Sequence, residues 1–200
     1  RDAGGLWDKY PVEQVATPEG YARNPELVIN FYNERRKQLL DVVPNAGHLG
    51  VADLERDFNV TVVTQNVDNL HERAGSTHVI HLHGELTKVC SSRDPYNPHF
   101  VKELAPEEYE VKLGDKAGDG TQLRPFIVWF GESVPEIETA IRYVEQADIF
   151  VIIGTSLNVY PAAGLLNYVP RAAEVYLIDP KPVDTHVMRP IHVIQKGASE

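Results

Sequence analysis

Cysteine is nearly absent from this sequence, and its scarcity excludes two kinds of cross-link. Cys90 is the single cysteine among 200 residues, so no intrachain disulfide and no four-cysteine zinc site can form. No apolar run approaches the roughly 20 residues that a membrane-spanning helix needs. No secretory signal opens the sequence. We therefore expect no structural zinc, no membrane partner and, by default, a cytoplasmic location.

Positive charge is also in short supply. Lys and Arg number 19 against 29 Asp and Glu, which gives a formal net charge of −10 at pH 7. A surface of this sign repels phosphate, so the sequence predicts no nucleic-acid partner. The same field mildly attracts basic peptides. A chain of this length can bury a substantial core.

Apolar runs alternate with helical patterns along most of the sequence. Asn24-Pro25-Glu26 predicts a helix start, with the helix continuing to about Leu40, and Pro44-Asn45 predicts the start of another. Strands are predicted at 60–64, 79–82, 126–130, 149–153, 175–178 and 193–194, and further helices at 135–147 and 161–168. This alternation predicts an α/β fold with a doubly wound parallel sheet. The segment 87–124 lacks strong periodicity and is predicted to be a small inserted helical or irregular module rather than sheet.

Polar or glycine residues directly follow five of the apolar runs. They are Gln65, His83, Gly131, Gly154 and Asp179. Parallel strands joined by right-handed crossovers end at one edge of a sheet, where α/β proteins bind ligands. The pattern therefore predicts one shared crevice.

The individual motifs are each open to an ordinary interpretation. Amides such as Gln65 or Asn69 suit turns, and His81 or His83 alone suits a hydrogen-bonded structural role. Asp179 is equally consistent with a contact to a ribose and with an Asp-Pro turn. These residues contain no G-x-G-x-x-G phosphate fingerprint.

In combination, the motifs resemble those of the sirtuins, the NAD-dependent protein-lysine deacylases. The similarity is greatest to bacterial sirtuins of the group that includes the human mitochondrial desuccinylase. The matching residues follow one another along nearly the whole sequence: Arg1 with Gly5-Leu6-Trp7, Ala16-Thr17-Pro18-Glu19, Phe31-Tyr32-Asn33, Pro44-Asn45 with His48, Thr64 to His71, His83-Gly84-Glu85, Arg124-Pro125, Val128 to Glu132, Gly154-Thr155-Ser156 and Val159 to Gly164.

The resemblance implies the sirtuin fold, a Rossmann-like sheet within a single catalytic domain over 1–200. We expect a helical module at 8–45, the Rossmann-like part at 46–86 and 125–200, and a small module at 87–124 in place of the zinc ribbon. That small module would be held by packing through Tyr96, Phe100 and Tyr109. The family's first strand and Gly-Ala-Gly-Ile-Ser phosphate loop would lie upstream of Arg1.

The resemblance also implies a reaction. In the family, the acyl-lysine oxygen attacks the ribose carbon that carries nicotinamide, and a histidine then acts as general base while the acyl group moves to the ribose. By motif that histidine is His83, a residue type suited to the role near neutral pH. The implied NAD contacts are Arg1, Gln65, Asn66, Asp68, Gly154, Thr155, Ser156 and Asp179. The implied peptide-binding residues, which would pair with the substrate as an added strand, are Val128, Trp129, Gly131 and Glu132.

Tyr32 and Arg35 lie three residues apart and are therefore neighbours on one helix. Without the resemblance, a solvated tyrosine beside one of several basic residues is the better interpretation. The resemblance instead implies that the pair binds an acidic acyl chain, with the guanidinium forming a bidentate contact to its carboxylate. Succinyl- and malonyl-lysine then join acetyl-lysine as expected substrates.

Two alternatives to a deacylase remain open. An NAD glycohydrolase or ADP-ribosyltransferase would use the same pocket without needing a peptide groove, whereas Val128 to Glu132 indicates that a groove is present. A non-catalytic module that binds NAD or acyl-lysine is the other. Acylated-lysine proteins or peptides are the expected partners, and NAD is the expected cofactor.

Overall fold

The computed structural model describes residues 9–155, 162–182 and 188–200. Contacts within the chain define two compact units. Unit 1 comprises Arg1–Val43, Asn66–Asn69 and His83–Val134. Unit 2 comprises Pro44–Gln65, Leu70–Leu82 and Pro135–Glu200. The predicted helical module up to residue 43 and the 87–124 module therefore belong to the same unit. The segments 66–69, 83–86 and 125–134 of the expected Rossmann-like part also belong to unit 1, and the rest of that part belongs to unit 2.

Within the described residues, helices and strands follow one another in α/β order. The α-helices are Val12–Val15, Pro18–Arg23, Pro25–Leu40, Ala46–Asp53, Leu70–Ala74 and Ile137–Val144. Short 3-10 helices are Leu54–Arg56, Pro98–Phe100, Pro106–Glu108 and Ala162–Tyr168. The strands are β1 (Val62–Thr64), β2 (Val79–His81), β3 (Gly84–Ser91), β4 (Lys102–Glu103), β5 (Leu123–Ile127), β6 (Ile149–Ile153), β7 (Glu174–Ile178) and β8 (His192–Ile194).

The Pro25–Leu40 helix, which we call the long helix, begins where the sequence predicts. The Asn24 side chain accepts a hydrogen bond from the Leu27 amide at 3.2 Å, and proline occupies the first turn, where no amide is needed. The helix buries Ile29, which packs with Val89 and Val111 into one core cluster of unit 1. The helix is therefore held both by its cap and by apolar burial.

Two buried polar side chains of the long helix fix the segment that runs past it. Asn33 donates to the carbonyl oxygen of Val111 at 2.7 Å, and Arg36 donates to that of Tyr109 at 2.7 Å. Backbone groups that would otherwise be buried without partners are thus satisfied. The irregular stretch around residue 110 consequently has a defined position on the helix.

Unit 1 contains an antiparallel sheet that the sequence did not predict. Its strand order is β4-β3-β5, so the interpretation of 87–124 as helical or irregular is wrong for most of β3 and for β4. The β3 pairing changes register between Gly84 and Val89. A register change of this kind breaks the two-residue alternation by which a strand is recognised.

The predicted 126–130 strand is also displaced. β5 ends at Ile127 and pairs antiparallel with β3, Gly84 lying opposite Ile127. Gly131 therefore follows a strand of the antiparallel sheet. Its expected place at the shared carboxyl edge of a parallel sheet is wrong.

Unit 2 carries the predicted parallel strands. β1 pairs with β2 in parallel, with Val63 opposite Ile80, and β6-β7-β8 form a second parallel sheet. β6 is not fully buried, because Ile149, Val151 and Ile153 are 44%, 42% and 37% exposed while Ile152 is 4% exposed.

The second predicted helix start, at Asn45, is confirmed with an added detail. The Asn45 side chain accepts from the His48 amide, and His48 Nδ1 accepts from the Asn45 amide, each at 3.0 Å. This reciprocal cap opens the Ala46–Asp53 helix. Among the described residues, every helix is too short or too polar to cross a bilayer.

Gly84 joins His83 to β3 and cannot be replaced without strain. Its φ is +87°, in the left-handed region that side chains disfavour. A β-carbon there would clash with the Phe126 carbonyl oxygen. Gly84 therefore permits the close backbone approach between β3 and β5.

We predict that Gly84→Ala lowers the free energy of unfolding by more than about 1 kcal/mol. Alanine disfavours the positive φ of this residue, and its β-carbon would clash with the Phe126 carbonyl oxygen. Gly50→Ala is the control. Gly50 lies within the Ala46–Asp53 helix with nothing near its missing β-carbon, so alanine should raise that free energy by about 0.5–1 kcal/mol. Urea unfolding measures the free energy of unfolding of both variants. Equal changes in the two variants would contradict the requirement for glycine at position 84.

Candidate functional site

His83 occupies a defined backbone position in unit 1. Its carbonyl oxygen accepts the Val128 amide at 2.8 Å, one residue before the close approach at Gly84. The side chain is partly exposed. The backbone of the candidate base is thus hydrogen-bonded to the first residue of the expected peptide-binding segment.

The 66–69 segment also belongs to unit 1, and β3 anchors it. The Leu86 amide donates to the Val67 carbonyl oxygen at 2.7 Å, three residues after His83. Asn66 is exposed and Asp68 is half-buried. The segment carrying the predicted nicotinamide contacts therefore lies against the strand that follows the candidate base.

Asn69 was not among the predicted ligand contacts, and the structure gives it a distinctive position. Its Oδ1 atom is buried without a hydrogen-bond partner among the described residues. An acceptor in that state carries a free-energy cost unless a ligand or water donates to it. A carboxamide or a hydroxyl group would satisfy it, and these are groups that NAD offers.

Arg35 and Tyr32 lie together on the long helix. The Arg35 guanidinium carbon is 5.8 Å from the centre of the Tyr32 ring and 5.9 Å from that of Phe31. Burial lowers the pKa of Arg35, while the charges of Tyr32 and Asp68 act in the opposite direction. Arg35 is thus a cation on an aromatic platform, near the Asp68 carboxylate.

The Tyr32 hydroxyl is engaged in unit 1. It donates to the Val15 carbonyl oxygen at 2.9 Å and accepts from Trp129 Nε1 at 3.0 Å. A tyrosine hydroxyl has one proton to donate. A substrate carboxylate would therefore have to displace Val15 to receive a hydrogen bond from Tyr32.

The expected peptide-binding segment, residues 128–132, is called the ledge below. Its amides are largely used within unit 1: Val128 donates to His83, Phe130 to Ala16, Glu132 to Trp129, and Trp129 to the Glu132 carboxylate. Trp129 is 2% exposed, whereas Phe130 is 56% exposed. Phe130, which is not among the predicted peptide-binding residues, therefore presents the ledge's large apolar side chain to solvent.

Arg124 holds the carboxylate of Glu132 in a two-pronged contact. Arg124 Nη1 lies 2.9 Å from Glu132 Oε2, and Nη2 lies 3.1 Å from Oε1. Burial alone would raise the pKa of Glu132, but the hydrogen bonds and charge of Arg124 outweigh burial and hold that pKa below its usual range. The pair is largely inaccessible to water, at 5% and 14% side-chain exposure, so both partners are needed.

The remaining predicted NAD contacts collect in unit 2. Gln65 Nε2 donates to Thr155 Oγ1 at 3.1 Å, which links the residue after β1 to the end of β6. The Gly154 amide donates to Ile178, and the next residue, Asp179, accepts from the Lys181 amide at 2.8 Å. An amide, a hydroxyl and a carboxylate thus stand at the carboxyl ends of parallel strands, as predicted for a nucleotide ligand.

Two predicted contacts, Arg1 and Ser156, lie outside the described residues. His81, the alternative histidine, is buried in unit 2, and its Nε2 is 2.9 Å from Glu72 Oε2. That pairing agrees with the structural interpretation of His81.

Cys90 lies in the core of unit 1 beside Arg124. Its thiol contacts the Pro125 carbonyl oxygen at 3.7 Å, and burial raises the pKa of the thiol to about 12. A thiol in this state is a poor source of the thiolate that zinc binds. The absence of structural zinc stays a prediction.

Strands bearing nucleotide-type polar groups at their carboxyl ends define unit 2 as Rossmann-like. The sequence model of the Sir2 family matches residues 1–161. This chain belongs to the Sir2 family, the sirtuins, and has the sirtuin fold.

Curated relatives and solved structures agree with that membership. A protein of Bacteroides thetaiotaomicron named NAD-dependent protein deacylase is 84% identical over all of this chain and 86% of its own length. A Helicobacter pylori protein of the same name is 48% identical over 99% of this chain and 84% of its own. A Sir2 homologue mutant bound to ADP-ribose is 36% identical with a TM-score of 0.84, covering 100% of this chain and 80% of its own. A Sir2 homologue in complex with NAD is 38% identical with a TM-score of 0.81, covering 98% and 76%.

The depressed pKa of Glu132 predicts a pH-dependent contribution to stability. Because the folded-state pKa lies below the unfolded one, the stabilisation is present above about pH 4.5 and is lost as pH falls through the folded-state pKa. The difference in unfolding free energy between wild type and Glu132→Gln should therefore be constant above about pH 4.5 and should shrink as pH falls below that value.

Asp53→Asn serves as the control for this measurement. Asp53 pairs with Arg56 on the surface at 2.7 Å, where such pairs contribute little. A Glu132→Gln difference that is constant across the pH range would contradict the proposed ion pair.

Proposed function

We propose that this chain removes acyl groups from protein lysines in an NAD-dependent reaction, with His83 as the general base. The observation that carries the proposal is the 2.8 Å bond from the Val128 amide to the His83 carbonyl oxygen. That bond makes the base and the ledge neighbours in one unit. Deacylation needs both the base and a peptide-binding segment, whereas NAD hydrolysis needs no peptide-binding segment.

The NAD-dependent part of the proposal is supported by residue chemistry in each unit separately. In unit 1, the unpartnered Asn69 Oδ1 is an acceptor for a carboxamide or hydroxyl donor. In unit 2, Gln65, Thr155 and Asp179 offer an amide, a hydroxyl and a carboxylate, which are groups that can bind ribose hydroxyls. When bound, NAD supplies the ribose carbon and hydroxyl groups that take up the acyl group.

In this proposal His83 accepts the proton of a ribose hydroxyl. Asn66 and Asp68 orient the nicotinamide group. A general base must accept a proton from a hydroxyl within hydrogen-bond reach. The Leu86–Val67 backbone bond at 2.7 Å holds the 66–69 segment against β3. The backbone that carries Asn66 and Asp68 thus has a defined position, from which their side chains would orient the nicotinamide.

We expect His83→Ala to lower kcat for an acyl-lysine peptide by about 10²–10⁴-fold, because proton transfer is lost. His99→Ala is the matched control, since His99 is exposed in the same unit. Mass spectrometry of the peptide with and without NAD measures the reaction. NAD loss without a change in the peptide would favour the glycohydrolase, and binding without turnover would favour the non-catalytic module.

We also propose that Arg35 gives this enzyme activity toward acidic acyl groups such as succinyl and malonyl. Arg35 lies over two aromatic rings and is half-buried, where a carboxylate contact is stronger than in bulk water. Asp68 lies close enough to influence the pKa of Arg35. An incoming carboxylate must therefore compete with Asp68 for the same cation.

Arg35→Met should reduce kcat/KM for a succinyl peptide by about 10-fold or more and for an acetyl peptide by much less, because only the succinyl group carries a charge. Lys37→Met is the control, as Lys37 is an exposed basic residue of the same helix. Competing succinyl and acetyl peptides in one reaction give the ratio directly. Equal losses for the two peptides would refute the selectivity.

The expected partners are acylated-lysine proteins, in keeping with the names of the relatives. A cytoplasmic location is part of the same proposal and is supported by the bacterial deacylase relatives.

A further inference from the structure

Arg36 is a buried cation that donates to three neutral oxygen atoms. It is 3% exposed. Its Nε donates to the Tyr109 carbonyl oxygen at 2.7 Å, its Nη1 to that of Leu86 at 3.3 Å, and its Nη2 to the Asn33 side-chain oxygen at 2.7 Å. Burial lowers the pKa of Arg36 to about 10, so the side chain stays charged at neutral pH. Its planar fork therefore fixes the long helix, β3 and the stretch around residue 110 relative to one another.

Leu86 connects Arg36 to the segment that carries the predicted nicotinamide contacts. The Leu86 carbonyl oxygen accepts from Arg36, and the Leu86 amide donates to the Val67 carbonyl oxygen at 2.7 Å. Leu86 is itself 3% exposed, so water has little access to replace these bonds. Val67 lies between Asn66 and Asp68. A displacement of Leu86 would therefore move both of those residues.

The position of Leu86 within β3 explains why it needs partners outside the sheet. The pairing of β3 with β5 is in one register at Gly84 and in another from Val89 onward. Leu86 lies between these two points, where a register change disrupts the ladder of hydrogen bonds. Arg36 and Val67 supply the hydrogen-bond partners of Leu86 instead. The arginine thus holds the part of β3 that strand pairing holds least.

Asn33 belongs to the same buried network but fixes a different residue. Its Oδ1 accepts from Arg36 and from the Val111 amide at 2.9 Å, and its Nδ2 donates to the Val111 carbonyl oxygen at 2.7 Å. Asn33 is 7% exposed. Its contacts therefore determine the position of Val111, whereas the bond to Leu86 comes from Arg36.

We propose that Arg36 is a positioning residue for NAD, which acts through Leu86 and Val67 on the side chains that orient nicotinamide. The inference rests on the proposed function, in which the 66–69 segment carries those side chains. Arg35, the next residue toward the start of the helix, is proposed above to bind the acyl group. The two adjacent arginines of the long helix would thus serve different substrates, one the acyl-lysine and the other NAD.

Arg36→Lys tests this role because lysine keeps the charge but carries its donors on a single nitrogen, which cannot reach three separate stretches of backbone. The KM for NAD and the inhibition constant for nicotinamide should each rise by about 2–10-fold, as expected for one lost hydrogen bond. The KM for acetyl and succinyl peptides should change much less. Arg23→Lys is the control, because Arg23 is an exposed arginine of the same unit. An unchanged KM for NAD, or equal rises for NAD and peptide, would overturn the proposal.

Asn33→Asp separates positioning from a general loosening of the buried network. Aspartate keeps the acceptor for Arg36 and for the Val111 amide but loses the donor to the Val111 carbonyl oxygen. We expect a lower free energy of unfolding with a KM for NAD near that of wild type. A rise in this KM equal to that of Arg36→Lys would overturn the positioning role. If Arg36→Lys fails to fold, Arg36→Gln replaces it with the same expectation, because glutamine removes the buried charge and keeps an amide donor.

Amide hydrogen exchange provides a readout without NAD or peptide. Arg36→Lys should speed exchange at the Leu86 amide by about 2–10-fold, because local opening becomes easier. The Leu123 amide, which donates to the Asp115 carbonyl oxygen at 2.8 Å in the same unit, is the reference and should keep its rate. Unchanged exchange at Leu86, or equal acceleration at both amides, would overturn the proposal. Wild type without deacylase activity would refute the proposed function, and the exchange rates would still decide whether Arg36 holds Leu86.

Discussion

The pairing of β3 with β5 is the constraint on which the candidate site of unit 1 depends. It brings Gly84 opposite Ile127 so closely that only glycine fits. Each of the two residues in this contact is next to a residue with a proposed role: His83, the candidate base, precedes Gly84, and Val128, the first residue of the ledge, follows Ile127. One antiparallel contact therefore sets the separation between the candidate base and the ledge, with no flexible side chain between them.

Polar groups buried beneath the ledge explain how such a short segment keeps one shape. Residues 128–132 form no regular strand, so strand pairing cannot hold them. Arg124, Glu132 and the indole of Trp129 provide directional contacts instead, and each would carry a desolvation cost without its partners. Ledge geometry is thus specified by a few long-range hydrogen bonds rather than by apolar packing alone.

Short-range sequence patterns predicted the features that depend on residues close together in the chain, namely helix starts and parallel strands. Asn24 before Pro25, and Asn45 three residues before His48, mark helix starts that the structure confirms. Apolar runs predicted the parallel strands of unit 2. The polar residues that follow them, such as Gln65 and Thr155, do meet, at 3.1 Å.

Long-range contacts account for what the sequence did not reveal. The register change in β3 removes the alternation that would have identified the strand. The contact between Arg124 and Glu132 and the bond between Tyr32 and Trp129 join residues 8 and 97 positions apart, which no periodicity records. The sequence therefore relates Tyr32 only to its neighbour Arg35 and not to Trp129. No sequence pattern marks Asn69 or Phe130, because the first is distinguished by a buried side-chain oxygen and the second by an exposed ring.

Each unit consists of three segments that are separated along the chain, and this affects how the protein folds during synthesis. Unit 1 is assembled from three segments that extend as far as Val134, and unit 2 from three that extend to Glu200. During synthesis, neither unit can complete its contacts until the last of its segments has left the ribosome. Nascent chains will expose apolar surface in the meantime, so folding is expected to be slow and to benefit from chaperones.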